Sequence, residues 1–514
     1  MRKVGPGDPD YDQDRVISNA RFDYRPWAIY YCDNAQDVSR AVTDARAHGG
    51  GFRIRSGGHQ HEGMCSADGV LLIDLSPIDT FGWLEERAGR VWIGAGAALA
   101  DVYVELWRRG YYFPGGACGD VHVGGLTQGG GWGLGARRFG LTCDSLVGVE
   151  IVTADGKIRK VLDTGPDEDR GLLQALRGAG GGNFGVITRF CFRLHPWKLQ
   201  YTDVSLIWGD DQLPGNSLEG LLMHWLKTFP NDPDDKLTTF TRLLVAPFGN
   251  SDRLLLSGRY LGTIVETESA VNRLLKGFPA PRVTTYTASP PRPKKAGALR
   301  LVASQRDEWR KQMGTHPGYQ PGPAPQGAAP GASPDLTSTC AGLPFRHKIS
   351  SGFVSQPLNL KLVPALTDVI RKTRPIPSTL ARQYVSLHSL GGAVSTERLP
   401  SAYAFRDRSV LLQYQAWWQP DAAPLDTQCI TWIESFRKAM APYTDGAFIN
   451  FVDRDVPLVQ YYKDKLPGLV EVKRRWDPDN WFKFQMSIPT KLAPTPPNEE
   501  RPRARASRRP AHRA

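Results

Sequence analysis

Cysteine is scarce in this sequence and its count is odd, with seven residues scattered through a chain of 514. This distribution excludes the disulfide framework that stabilises many small secreted domains. Cys118 differs from the others because it lies inside a glycine-rich segment. We expect the other six to be reduced and to pack as small hydrophobic side chains: Cys32, Cys65, Cys143, Cys191, Cys340 and Cys429.

Long apolar runs are also missing. The N-terminal stretch MRKVGPGDPD contains no hydrophobic segment suited to a signal peptide. No later run reaches the length that is needed to span a bilayer. These absences predict a cytoplasmic protein without membrane contact.

Acidic residues are fewer than basic ones, and the formal net charge is +12. The charge raises nucleic acid as an alternative partner, but part of it is confined to residues 493–514. Arginine and proline dominate that segment, which is typical of a disordered tail. Residues 314–334 are rich in proline, glycine and alanine and predict a mobile loop. We therefore regard nucleic-acid binding as the less favoured interpretation.

The length of the chain exceeds what one hydrophobic core usually supports, so two domains are expected. In the first part, helical spacing from residue 37 to 48 is followed by a strand-like run at 52–55. From residue 200 to 440 the runs favour an antiparallel sheet with helices on one side. The predicted strands of this sheet include 237–245, 253–260, 383–387 and 410–418.

Two glycine-dense segments follow strand-like runs, and each carries one nucleophilic side chain. The first reads RIRSGGHQHEG (53–63) and contains His59; the second reads GGACGDVHVGGLTQGGG (115–131) and contains Cys118. Consecutive glycines let backbone N–H groups approach a diphosphate or a flat ring closely. These segments predict a site where an imidazole and a thiol can bond covalently to a bound group.

The two motifs resemble those of the berberine-bridge-enzyme-like FAD-linked oxidases, a branch of the vanillyl-alcohol-oxidase superfamily. The family pattern is R-S-G-G-H followed by G-x-C-x-x-V-x-V-G-G, and the likeness spans roughly residues 18 to 490. The resemblance implies an α+β, two-domain PCMH-type FAD-binding fold with an α/β substrate domain built on an antiparallel sheet. Residues 1–199 would form the FAD-binding domain and 200–440 the substrate domain, with 441–492 returning to the first.

The resemblance also implies bicovalent FAD, with His59 bonded to the flavin 8-methyl carbon and Cys118 to ring carbon C6. A third glycine loop, RGAGGGNFG (177–185), would contact the flavin and its diphosphate. No metal is implied. The positions that match the family's cofactor-binding residues are His59, Cys118, Arg55, Ser56, Gly57, Gly58, Gln60, Gly116, Val121, Gly124, Gly125, Gly129, Gly185, Val186 and Asn450.

The sequence departs from the family at the catalytic base. Relatives carry Tyr-x-Asn-Tyr, whereas this chain has Phe448 and Phe451 on either side of Asn450. Without these phenols, the usual tyrosine cannot accept the proton. Three arrangements stay open: His388 as base, His122 as base, or a substrate that binds already ionised.

Three further positions bear on the site. Gln413 matches a position where relatives place Glu or Gln towards the flavin, and a glutamine can orient a hydroxyl but takes no proton at neutral pH. His61 replaces a residue that is often aromatic in relatives, so packing is favoured over a substrate role. Val121 stands where relatives control access of O₂, and a valine there resembles the oxidases.

The resemblance predicts an FAD-dependent oxidase that takes a hydride from a bulky natural-product or sugar substrate. It would convert an alcohol to a carbonyl, or form a ring oxidatively, and O₂ would reoxidise the flavin to give H₂O₂. The residue usage suits a GC-rich bacterium and favours a tailoring enzyme of antibiotic or other secondary metabolism. A cyclase of the same fold without net oxidation is the alternative. The expected partners are a small-molecule substrate and O₂, in a monomer or homodimer.

Overall fold

The structure is a computed structural model that describes residues 1–85, 88–197, 200–209, 211–213, 215, 217–244, 252–288, 345–372, 376, 380–396 and 399–492. The expected mobile loop (314–334), the expected disordered tail (493–514) and Cys340 lie outside these residues. Within them the helices are α1 (Tyr11–Asp14), α2 (Ala35–His48), α3 (Leu99–Arg108), α4 (Val123–Gln128), α5 (Ala136–Phe139), α6 (Asp167–Leu176), α7 (Ser217–Thr228), α8 (Ile264–Leu274), α9 (Leu362–Lys372), α10 (Asp426–Met440), α11 (Leu458–Tyr462) and α12 (Leu466–Trp476). The strands are β1 (Arg2–Val4), β2 (Ala28–Tyr31), β3 (Phe52–Arg55), β4 (Leu71–Asp74), β5 (Phe81–Glu85), β6 (Arg90–Gly94), β7 (Tyr111–Tyr112), β8 (Leu146–Val152), β9 (Ile158–Leu162), β10 (Val186–Arg193), β11 (His195–Pro196), β12 (Thr202–Gly209), β13 (Leu237–Leu244), β14 (Asp252–Tyr260), β15 (Val283–Ala288), β16 (Arg346–Val354), β17 (Ala381–Ser389), β18 (Val410–Trp418) and β19 (Thr444–Asp445).

The first part of the chain builds two sheets, ordered β1-β2-β4-β3 and β5-β6-β10-β8-β9. Helix α2 connects β2 to β3, and both strands pair in parallel with β4. The side chain of Asn34 caps this helix by accepting the N–H of Asp37 at 2.9 Å. Gly49 ends it at a φ of 75°, which favours glycine. The predicted helix is confirmed and begins two residues earlier, and β3 then leads directly into the His59 loop.

The predicted antiparallel sheet is confirmed and has the order β15-β12-β14-β13-β17-β18-β16-β19. Strand β18 coincides with the predicted 410–418, while β17 extends the predicted 383–387 at both ends. Successive side chains of a strand point to opposite faces. One face packs Val385 and Leu412 beneath α7, α9 and α10. The residues that alternate with them, including Ser386 and Gln413, face a cavity on the other side.

Two large hydrophobic cores lie in different parts of the chain. The larger draws on residues 28–194 and also on the C-terminal segment, through Tyr462, Trp476 and Ile488 among others. The second lies between residues 204 and 440, beneath the helices of the eight-stranded sheet. The domain bounds inferred from the sequence stay a prediction. No helix within the described residues has both the length and the apolar character that crossing a bilayer requires.

A buried ion cluster around Lys348 joins these parts of the chain. Nζ of Lys348, on β16, lies 2.6 Å from Oε1 of Glu62 and 2.6 Å from Oδ1 of Asp453. Glu62 belongs to the first glycine loop and Asp453 to the C-terminal segment. Arg454 donates to Oε2 of Glu62 at 2.8 Å, and Arg437 donates to Oδ2 of Asp453 at 2.9 Å. Every buried charge of the cluster is therefore paired, as a low-dielectric environment requires.

The cluster makes the stability of the fold depend on pH. Burial alone would raise the pKa of Asp453, but the charge and hydrogen bond of Lys348, with help from Ser350 and Arg437, lower it below its usual value. A carboxyl whose folded-state pKa is lowered contributes stability above its unfolded pKa of about 4. That contribution is lost as the pH falls through the folded-state pKa.

Replacement of Lys348 tests the cluster. We expect Lys348→Met to lower the free energy of unfolding by about 3–5 kcal/mol, because two buried carboxylates lose their shared cation. Urea unfolding followed by circular dichroism measures this loss. Lys372→Met is the control, since it removes an exposed lysine that pairs with Asp368 and should cost less than about 0.5 kcal/mol. Equal losses of unfolding free energy in the two variants would contradict the prediction. So would a difference in unfolding free energy between them that does not become smaller below about pH 4.

Candidate active site

A cavity of about 380 Å³ lies between the glycine loops and the helix-free face of the eight-stranded sheet. The C-terminal segment closes one side of it through Asn450 and Phe451. Most of the residues singled out from the sequence meet at this cavity. Its wall includes Ser56, Gly57, Gly58, His59, Gln60, Gly116, Cys118, Val121, His122, Gly124, Gly125, Gly129, His388, Gln413 and Asn450.

The glycine loops fit a large, flat cofactor. Gly125 is exposed at the cavity, and a Cβ built on it would meet no atom within 4 Å, so any side chain there would occupy the cavity. Gly58 and Gly182 have φ values of +72° and +76°, which side chains of other residues disfavour. The loops thus keep side chains away from the space where a flavin and its diphosphate would lie. The residues present therefore fit FAD.

The two expected attachment residues, His59 and Cys118, both line the cavity. Nε2 of His59 lies 3.4 Å from Oδ2 of Asp120, on the neighbouring loop, and this contact orients the ring. Cys118 is disulfide-bonded, so its sulfur would have to return to the thiol form before it could bond a flavin. The other described cysteines are free, as predicted: Cys32, Cys65, Cys143, Cys191 and Cys429.

Three expected cofactor residues, Arg55, Gly185 and Val186, do not belong to the cavity wall. The guanidinium of Arg55 is buried, with Nε 2.5 Å from Oδ2 of Asp74, so it supports the loop from beneath. Gly185 packs against Ile151, where an added Cβ would lie 2.5 Å from Cδ1, and Val186 is a fully buried residue of β10. The third loop reaches the cavity through residues 179–183.

Two further cofactor candidates, Gln60 and Asn450, use their side chains to hold loop backbone. Oε1 of Gln60 accepts the N–H groups of Glu62 and Met64 at 2.9 and 2.8 Å. Oδ1 of Asn450 accepts the N–H of Gly131 at 2.9 Å, and its Nδ2 donates to two carbonyls of the second loop. Both residues line the cavity and also fix its shape. Their contact with a cofactor stays a prediction.

The facing wall is the polar row of the sheet. In the strand register, Arg242 on β13 lies opposite Ser386 on β17, and Ser386 lies opposite Gln413 on β18. Gln415 and Trp417 follow Gln413 at alternate positions of the same strand and also line the cavity. Alternation along β18 would have identified these two residues from Gln413. No local pattern marked Arg242 or Ser386, because their position depends on pairing between distant strands.

His388 lies beside this row in an aromatic enclosure. Its ring meets Trp132 edge-on at 4.5 Å, stacks on Phe240 at 5.6 Å and lies 5.9 Å from Phe451. Nε2 donates to Oε1 of Gln413 at 3.1 Å. This bond leaves Nδ1 unprotonated, and Nδ1 is buried without a hydrogen-bond partner among the described residues. Gln413 therefore fixes the tautomer of His388, which is a different task from orienting a substrate hydroxyl.

Burial makes His388 a neutral base over a wide pH range. Burial lowers its pKa to about 3; the bond to Gln413 opposes this shift and the charge of Arg242 adds to it. Only the neutral imidazole can accept a proton. A rate that depends on His388 should therefore be level above about pH 5, instead of rising near the usual histidine pKa.

His61, for which the sequence favoured a packing role, forms a hydrogen-bonded pair with His347. Nδ1 of His347 donates to the carbonyl of Phe345 at 3.2 Å, so its Nε2 can accept from Nδ1 of His61 at 3.0 Å. The remaining nitrogen of His61, Nε2, is then unprotonated. Burial, and to a lesser extent the charge of His59, lowers the pKa of His61 to about 3. The ring of His61 lies 6.2 Å from the ring of Phe451, which is also close to His388.

His122 lies with the cofactor loops. An added Cβ on Gly57 would lie 3.0 Å from its ring, so the imidazole packs directly on the first loop. Burial, and to a lesser extent the charge of His59, lowers the pKa of His122 to about 4. The ring is neutral near pH 7, and its Nδ1 has no partner among the described residues. A catalytic role for His122 stays a prediction.

Comparison with known proteins agrees with this arrangement. Residues 26–162 match the family model described as an FAD binding domain, and 447–489 match the one described as berberine and berberine like. The chain is 29% identical to the "Uncharacterized FAD-linked oxidoreductase YgaK" of Bacillus subtilis (strain 168), covering 95% of this chain and 96% of that one. It is 28% identical to "Aclacinomycin-N/aclacinomycin-A oxidase" of Streptomyces galilaeus, covering 91% and 86%.

A solved structure confirms the α+β fold expected from the sequence. The wild-type BBE-like 1 protein of Physcomitrella patens superposes with a TM-score of 0.77 and covers 96% of this chain and 97% of its own. At 24% identity, this likeness speaks for the fold alone. The two matched family models lie where the glycine loops and the Asn450 segment form the cavity. The chain is an FAD-linked oxidoreductase, and it is similar to the berberine-bridge-enzyme-like proteins.

Proposed function

We propose that this chain is an oxidase that converts an alcohol of a bulky natural-product or sugar substrate to a carbonyl. The unprotonated, buried Nδ1 of His388 carries the proposal, since it is a proton acceptor at the cavity with no hydrogen-bond partner among the described residues. The name of the Streptomyces galilaeus relative, an aclacinomycin oxidase, supports a natural-product substrate. Ring formation by oxidation remains within the same proposal.

In this mechanism His388 accepts the hydroxyl proton at Nδ1 while Gln413 holds the proton already on Nε2. The FAD, when bound, supplies the hydride acceptor and passes the electrons to O₂, which becomes H₂O₂. Trp132, Phe240 and Phe451 surround the imidazole and keep water away from the proton transfer. His388 thus takes over the task that a tyrosine in place of Phe448 or Phe451 would perform.

Replacement of His388 tests the base. We expect His388→Ala to slow flavin reduction by roughly 10²- to 10⁴-fold, the range usual for loss of a general base. The assay is anaerobic single-turnover reduction by whichever compound in a panel of oligosaccharides and aromatic glycosides reduces the wild type. His224→Ala is the control, because His224 lies on α7 outside the cavity wall and its Nε2 donates to the backbone carbonyl of Leu274 on α8. A rate loss smaller than about tenfold would show that His388 is not the base.

Flavin attachment is the second test. We propose that His59 and the thiol form of Cys118 each bond the flavin, so protein precipitated by acid should stay yellow. His59→Ala and Cys118→Ala should each keep one link, whereas His48→Ala, on the exposed end of α2, should keep both. Mass spectrometry of peptides would locate each link, with Cys118 reduced before flavin loading. Complete release of flavin by acid from the wild type would refute covalent attachment.

Reaction with oxygen is the third test. Val121 lines the cavity at the position expected to admit O₂. We expect rapid reoxidation in air with one H₂O₂ per turnover, slowed severalfold by Val121→Leu, which adds one methylene. Val459→Leu is the control, since Val459 is exposed. An enzyme that forms product without H₂O₂ would favour the cyclase alternative, and one that needs an artificial acceptor would refute the oxidase.

A further inference from the structure

Three polar atoms of the sheet wall have no hydrogen-bond partner among the described residues: Nε of Arg242, Oγ of Ser386 and Nδ1 of His388. All three residues line the cavity. Ser386 is 1% exposed and His388 is 6% exposed, so bulk water does not readily satisfy them. Buried polar groups in native proteins are nearly always satisfied. These atoms therefore mark a place where a ligand supplies the missing bonds.

Arg242 brings an uncompensated positive charge to that place. Within the described part of the chain it forms no ion pair, whereas the carboxylates around Lys348 are paired with Lys348, Arg437 and Arg454. Its guanidinium lies 5.3 Å above the rings of Phe240 and of Tyr384, which hold it in position. An arginine held in this way is suited to bind a carboxylate or a similar oxyanion.

The donors and the acceptor are ordered along the wall. Arg242 can only donate hydrogen bonds, and Ser386, opposite it in the strand register, can donate another. Nδ1 of His388, one alternate position along β17, can only accept. A complementary ligand carries an anionic oxygen next to a hydroxyl group. Trp132, Phe240 and Trp417 add aromatic surface to the same wall.

We propose that Arg242 and Ser386 form an anion subsite that selects substrates with a carboxylate or ionised phenol close to the hydroxyl that His388 deprotonates. This inference rests on the proposed oxidase function and narrows its substrate class to acidic, partly aromatic alcohols. The subsite lies on the sheet wall, across the cavity from the glycine loops that fit the flavin diphosphate. A cofactor phosphate bound by those loops would leave it accessible.

The test compares benzoate with benzamide, which has nearly the same shape but no charge. Calorimetric titration of the flavin-loaded protein should show benzoate binding at least about tenfold more tightly, the effect of one charge-assisted bond. Arg242→Gln should bind both probes equally. Arg242→Lys, which keeps the charge, should retain a preference for benzoate. Arg474→Gln, at an exposed position of α12, should behave as the wild type.

Two outcomes would overturn the inference: no preference for benzoate in the wild type, whether both probes bind or neither does, or an undiminished preference in Arg242→Gln. The proposed function fails separately, because it requires flavin in the purified protein and H₂O₂ during turnover. The preference for benzoate is measured by calorimetry, so its result does not depend on the flavin content or on H₂O₂ formation.

Discussion

Lys348 is the cation on which the arrangement of the cavity depends. It sits on the eight-stranded sheet but binds one carboxylate from the first glycine loop, that of Glu62, and two from the C-terminal segment, those of Asp453 and Asp455. The three walls of the cavity are therefore tied at one buried point. Since each charge is expensive to bury unpaired, the three segments hold their relative positions together. The space left between them is what the flavin and the substrate must share.

A cavity enclosed in this way changes the state of the histidines that line it. His61, His122 and His388 all have a pKa lowered chiefly by burial, so each is neutral near pH 7. The rings of His61 and His388 lie 6.2 and 5.9 Å from the ring of Phe451, at a position where relatives carry a phenol. A neutral imidazole can accept a proton directly, whereas a phenol must first be ionised. The missing phenols are therefore replaced by imidazoles that are already neutral, while the lowered pKa also weakens each of them as a proton acceptor.

Local sequence patterns predicted much of this structure. Helix α2, strand β18 and the loops that carry His59 and Cys118 follow from spacing and glycine content, and the family resemblance placed them around one cofactor. Arg55 and Val186 were expected in the wall but lie beneath it, because a motif does not reveal which side of a loop faces a ligand. Arg242 and Ser386 came together only through strand pairing, and His347 meets His61 only through a side-chain contact, both over long sequence distances. No local signal carries that information.

The neutral state and tautomer of His388 can be measured directly by nitrogen-15 NMR of protein labelled at histidine, with His388→Gln assigning its signals. The expected result is a proton on Nε2 and none on Nδ1, unchanged between about pH 5 and 8. That result would establish the open proton acceptor on which the proposed chemistry depends. A His388 ring that gains a proton within this range, or that carries its proton on Nδ1, would contradict it.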